Sequence, residues 1–171
     1  MAGASAGMAG LVDVDVSELM SDLAGAGITV AAAESLTGGL LMALLTEVPG
    51  ASEVLRGGLV VYATELKHTL AGVPADLLAA RGPVDPDVAV ELARGVRAAC
   101  GASVGLGLTG VAGPDPQDGI AVGVWYVALD GPSGVRLLSA VPGDDPGCTS
   151  RAEIRNAAVR AAVELLTELV A

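Results

Sequence analysis

The chain has 171 residues and a formal net charge of −11, with only nine basic residues and a 52% hydrophobic content that includes no Phe, one Trp and two Tyr. That length suits one domain with an adequate core, and the shortage of aromatics leaves the core to Val, Leu, Ile and Ala, a composition suited to a parallel or mixed sheet covered by helices. The acidic balance argues against nucleic acid and against an anionic membrane surface as partners, because both need clustered Lys and Arg.

Residues 1–12 carry no basic or apolar leader pattern and read as a flexible tail ahead of a single domain over 13–171. No run of 18 uninterrupted apolar residues is present, so no membrane span is expected. Cys100 and Cys148 lack metal-ligand spacing and His68 is the only His, so no metal site is expected. Nothing suggests a disulfide framework, which makes a reducing cytoplasm the default location.

The first helix is predicted over Asp13–Ala26, with Asp15 or Ser17 as its cap and Leu19 and Leu23 on one face. Ile28–Ala33 is a short apolar run suited to a buried strand, and Gly38–Leu45 continues as a helix. Between them lies Glu34-Ser35-Leu36-Thr37-Gly38-Gly39, a glycine-rich turn at the carboxyl end of a strand, where open α/β sheets bind ligands. The helix that follows starts with unpaired N–H groups and a positive dipole end, which a nucleophile, an oxyanion or a phosphate could use; if Ser35 forms an acyl-enzyme, its oxyanion is expected near Gly38-Gly39. Ser35 or Thr37 caps that helix, or Ser35 is a nucleophile.

Leu55–Val61 is a second strand that ends at Tyr62. Short helices follow over Thr64–Leu70, with Thr64 as cap, and from Pro74 to Ala80. Asp85-Pro86 opens a longer helix in which Val88, Leu92, Val96 and Ala99 share a face. Val104–Leu108 is a third strand, running into the glycine loop Thr109–Pro114. Ile120–Leu129 and Val135–Val141 are the last strands, joined by a turn. An acidic loop over 142–149 leads to Ser150-Arg-Ala-Glu153, a capping box, and to a helix with Ile154, Ala158, Ala161, Leu165 and Leu169 in its buried stripe. This order predicts a three-layer α/β/α fold with a mixed, mostly parallel sheet of about five or six strands, the last two forming an antiparallel hairpin.

Ser35, Tyr62, Lys67 and Thr109 all fall at or just beyond predicted strand ends, so parallel strands would gather them at one sheet edge. A nucleophilic serine needs a base, and the choices are Lys67 and His68. Neighbours on a helix point about 100° apart, so only one can face Ser35. A lysine base must be largely neutral. Lowering its pKa from about 10.4 to about 7 costs about 4.6 kcal/mol, within the range of buried lysines. Tyr62 would relay a proton or orient the pair; the plainer alternative is a solvated Lys67 beside a packing Tyr62. Arg151 and Arg155 lie one turn apart at the start of the last helix, where cations are unfavourable. They fit a bound phosphate or pairing with Asp144, Asp145 or Glu153. Gly110 and Gly113 either present backbone N–H groups to an anion or are turn glycines.

Three segments in order, Ala33-Glu34-Ser35-Leu36-Thr37-Gly38-Gly39, Gly57 to Lys67 and Thr109 to Pro114, together with Arg151 and Arg155, resemble the C-terminal domain of the CinA family, whose enzymatic members are nicotinamide mononucleotide deamidases. The resemblance runs from about Val16 to the end of the chain. It implies hydrolysis of the nicotinamide amide to the carboxylate with release of ammonia. Ser35 is then the nucleophile, Lys67 the base and Tyr62 a supporting hydroxyl. Thr37, Gly38, Gly39, Thr109, Gly110 and Gly113 line the substrate, a pyridine nucleotide whose phosphate meets Arg151 and Arg155. No metal or organic cofactor is implied, and a homo-oligomer, often a dimer, is. The sequence departs from the family where Leu36 replaces the usual Cys and Asp85 the usual Ser; neither is a proposed reacting group. The larger domain that precedes this one in many relatives is not expected, nor any activity tied to it. The alternative is a non-catalytic nucleotide-binding or protein-interaction module of the competence and DNA-damage response.

Overall fold

A computed structural model describes residues 11–142 and 150–171. It contains a five-stranded sheet built from β1 (Val30–Glu34), β2 (Leu55–Val60), β3 (Val104–Gly110), β4 (Trp125–Gly131) and β5 (Gly134–Ala140), in the order β2-β1-β3-β4-β5. β1 runs parallel to both β2 and β3, whereas β4 and β5 are antiparallel additions. Helices α1 (Val16–Gly25), α2 (Leu40–Thr46) and α6 (Arg151–Thr167) cover one face; α3 (Thr64–Thr69), α4 (Ala75–Arg81) and α5 (Pro86–Cys100) cover the other. The expected three-layer α/β arrangement is therefore present.

The strands alternate sides with period two, and this decides where chemistry can sit. Val30 and Ala32 of β1, with Val104, Leu106 and Leu108 of β3, join the core under α1, α2 and α6. Ala31 and Ala33 join the opposite core, under α5 and the α3–α4 connection. α5 packs closely on β3 because two positions there carry no side chain: a Cβ on Gly105 would stand 2.0 Å from the Ala93 carbonyl oxygen, and one on Gly107 2.2 Å from that of Ala89. Either substitution would push the helix off the sheet.

The pairing of β1 with β2 contains one irregularity. Val30 faces Leu55 but Ala31 faces Gly57, so Arg56 is an extra residue, and from there Glu34 faces Val60. Beyond the strand the Val61 N–H still reaches the Glu34 carbonyl at 2.9 Å.

Several local expectations change in detail. The α1 cap is Asp15, which accepts from the Ser17 and Glu18 N–H groups. Thr64 is the first residue of α3 and not its cap, which is Ala63 without a side-chain bond. Residues 120–124 are not part of β4. There Val111 keeps pairing across the loop, donating to Val124 and accepting from Gly123, and the chain turns before the strand starts at Trp125. A short 3-10 turn at Ala51–Glu53 precedes β2. Ser150 and Glu153 form the expected reciprocal cap of α6. Asp144 and Asp145 lie outside the described residues. No helix among the described residues is long and apolar enough to cross a membrane.

Candidate active site

Alternation along β1 sends Glu34 and Ser35 to opposite faces of the sheet. Glu34 turns toward α2 and is almost fully buried. Its carboxylate accepts from the Gly39, Leu41 and Met42 N–H groups at 3.0, 3.2 and 2.9 Å. The start of α2 is thus tied to the strand that precedes it, and Gly39, at φ +95°, makes the tight entry. This corrects two expectations. Neither Ser35 nor Thr37 caps α2, because the cap position is Gly39 and the acceptor is Glu34. Nor is the helix start open to an oxyanion, since Glu34 already occupies the amides that would hold it.

Ser35 turns the other way. Its N–H extends the parallel ladder by donating to Leu108 at 3.0 Å, which sets it beside Thr109. Lys67 of α3 comes over the end of β2 onto this face. Its Nζ stands 2.8 Å from Ser35 Oγ and 2.9 Å from the Val61 carbonyl oxygen. Lys67 is 1% exposed, and burial lowers its pKa from 10.5 to about 8. Among the described residues no carboxylate bonds to it, and the two neutral acceptors do not make up for the lost hydration of the ammonium. The sequence left Lys67 and His68 as rival bases. His68 is exposed and its Nδ1 lies 2.8 Å from the Val73 carbonyl oxygen, away from Ser35.

Ser35 and Lys67 open into a cavity of about 290 Å³ that is also lined by Tyr62, Pro83–Val84, Thr109 to Gln117 and Arg151. Thr109 is buried and donates its hydroxyl to the Pro83 carbonyl at 2.7 Å, locking the wall between β3 and α5. At the rim, Arg151 donates to the Tyr62 hydroxyl at 2.9 Å and to the Gly113 carbonyl. Tyr62 is 60% exposed, and its hydroxyl is engaged by Arg151 and by neither member of the serine–lysine pair.

Of the residues predicted to meet substrate, Thr109, Gly110, Gly113 and Arg151 line the cavity, whereas Thr37, Gly38, Gly39 and Arg155 do not. Thr37 is buried in the turn, and its Oγ1 has no hydrogen-bond partner among the described residues. Arg155 spends its guanidinium on the turn itself: Nε donates to the Leu36 carbonyl at 3.1 Å and an Nη donates to that of Thr37 at 2.7 Å. Sequence reasoning gave no role to Glu34 and passed over Pro83, Asp115 and Gln117. The signal for Glu34 was an acidic residue at a strand end just ahead of a glycine-entered helix, a match for its dipole.

A buried serine–lysine pair at the carboxyl end of a mixed sheet, facing a polar-rimmed cavity, is the polar centre of this α/β protein. Comparison with known proteins places it more closely. The CinA C-terminal domain family model matches residues 15–170, and the chain belongs to that family. It is 48% identical over 144 residues to a CinA-like protein of Frankia casuarinae, covering 84% of this chain and 32% of that one. With a CinA-like protein of Anaeromyxobacter dehalogenans it shares 45% identity over 152 residues, 86% of this chain and 35% of the relative. The chain thus spans about a third of the length of these curated relatives. Among solved structures, the competence/damage inducible protein CihA of Agrobacterium tumefaciens superposes with a TM-score of 0.83 at 34% identity, covering 92% of this chain and 97% of the other. The competence or damage-inducible protein of Enterobacter asburiae gives 0.82 at 27%, covering 92% and 99%.

Proposed function

We propose that the domain is an amidohydrolase that deamidates nicotinamide mononucleotide to nicotinic acid mononucleotide and ammonia. The observation that carries this reading is the 2.8 Å contact between Ser35 Oγ and a Lys67 Nζ whose pKa burial brings to about 8. A buried lysine costs stability, and a fold needing only packing would fill that position with an apolar side chain. Near neutral pH about a tenth of such a lysine is the free amine, which is enough to act as a general base.

In the proposed reaction neutral Lys67 takes the Ser35 hydroxyl proton as Oγ attacks the carboxamide carbon. The Val61 carbonyl keeps Nζ in line during this step. Collapse of the tetrahedral adduct breaks the C–N bond. The Lys67 ammonium returns its proton to the leaving nitrogen, which departs as ammonia. Water then attacks the acyl-serine as Lys67 takes its proton, the C–Oγ bond breaks as Lys67 passes that proton to Ser35 Oγ, and the acid so formed loses its own proton to solvent and leaves as the carboxylate. In this reading the substrate phosphate meets Arg151, which lines the cavity at its rim.

The test is ammonia release from nicotinamide mononucleotide by the native protein, Ser35→Ala and Lys67→Ala. Release by the native protein and a loss of about 10³-fold or more in both variants is expected, since members of such a unit fail together. An unchanged rate in Lys67→Ala would sink the lysine base. No release from a folded native protein that still binds the nucleotide would favour the binding-module alternative.

A further inference from the structure

The turn that carries Ser35 is gripped from the α2 and α6 side of the sheet. Glu34 fixes its far end through the N–H groups of Gly39, Leu41 and Met42. Its middle is fixed by Arg155, which is half-buried and sits in the second turn of α6. The fork of Arg155 takes the carbonyls of Leu36 and Thr37, the two residues directly after Ser35. The guanidinium also runs close along Gly38, where an added Cβ would stand 3.9 Å from its Nη. None of the cavity lining comes from Arg155, whereas Arg151, one turn earlier on the same helix, lies at the cavity rim. These two arginines of one helix therefore do different work.

We propose that Arg155 is a positioning residue: its guanidinium clamps the Leu36 and Thr37 carbonyls and so fixes where Ser35 stands, and it does not hold the substrate phosphate. The inference rests on the deamidase reading for its substrates but concerns geometry that the reading leaves unassigned. A planar fork can grip two successive carbonyls at once, and an ammonium cannot reproduce that geometry. A misplacement of about 1 Å at a nucleophile can cost about 10²-fold in rate.

The experiment compares native protein, Arg155→Lys and Arg155→Met on two substrates, nicotinamide mononucleotide and the unphosphorylated nicotinamide riboside. The expected result is a fall in kcat of about 10- to 100-fold on both substrates in both variants. KM for the mononucleotide stays within about threefold, and the ratio of kcat/KM between the two substrates is unchanged. That ratio does not depend on how much of the variant is folded. The pH profile supplies a second such readout: its midpoint moves up as a loosened turn admits water beside Lys67. A collapse of the substrate ratio, with the mononucleotide losing most, would overturn the proposal and make Arg155 a phosphate ligand. So would a lower kcat with an unmoved pH midpoint, which is the mark of general destabilisation, or no change at all. Should the native protein act on neither substrate, the deamidase reading fails on its own. The positioning claim is then read from the rate at which a fluorophosphonate labels Ser35. Arg155→Lys slows that rate at least about tenfold if the clamp holds the turn; an equal rate overturns the claim.

Discussion

The two faces of the sheet at the end of β1 (Val30–Glu34) differ in kind. On the α2 and α6 side the two charged groups at the turn are spent on backbone: Glu34 on three amides and Arg155 on two carbonyls. On the α3 and α5 side the polar side chains meet one another across a cavity, Lys67 against Ser35 with Thr109 beside them. One face holds the turn and the other uses it, and a single step along an alternating strand separates the two roles. Support and chemistry can therefore be damaged independently.

Glu34→Gln attacks the supporting face. It keeps the size of the side chain but replaces a charged acceptor of three N–H groups, and a loss of about 2–3 kcal/mol in urea unfolding is expected. The pH response attacks the other face. A base with a pKa of about 8 makes kcat/KM rise about tenfold from pH 7 to pH 9, with its midpoint near 8. The sign for stability follows from the same group. Its folded pKa lies below its unfolded value of 10.5, so the unfolded chain binds more protons between about 8 and 10.5 and stability rises with pH through that window. Denaturant titrations at pH 7.5 and 10 measure this, and Lys67→Met removes the slope. At the rim the effects are smaller. Arg151→Ala raises KM for the mononucleotide about five- to tenfold, as expected for a solvent-facing phosphate contact, with kcat nearly kept. Tyr62→Phe changes either constant by less than about threefold, because Arg151 keeps its bond to the Gly113 carbonyl. A large fall in kcat from Tyr62→Phe would move that hydroxyl into the reaction.

Much of this was legible in the chain. Apolar runs bounded by glycine and proline located the five strands, and the capping signals at Asp85 and Ser150 located the two longest helices. Ser35, Lys67 and Thr109 stood out because each falls at or just beyond a predicted strand end, and parallel pairing of β1 with β2 and β3 did gather them. What a linear reading missed was partner choice. Glu34 and Arg155 act through backbone atoms of residues 5 to 8 positions away and more than 100 positions away, respectively, and no periodicity encodes such bonds. The two arginines share a face of α6 in sequence. The loop over which they lean divides them, one to the rim and one behind the turn. Which of Lys67 and His68 faces Ser35 depended on which side of α3 packs inward, and Lys67 is the one buried against it.

The extra residue at Arg56 has a consequence for how this gene segment can change in length. Insertions or deletions before Arg56 fall on the amino side of an irregularity that already absorbs one residue. From Gly57 to Lys67 no such slack exists. Pairing of Glu34 with Val60, the Val61 N–H bond to Glu34 and the Lys67 bond to Val61 form one uninterrupted count. One residue more or fewer between Gly57 and Val61 shifts the strand end by about 3.3 Å and turns the carbonyl that anchors the amine to the other side, and one within the first turn of α3 swings Lys67 by about 100°. Length variants in the connection between α2 and Arg56 should accordingly be tolerated, and those between Gly57 and Val61 inactive.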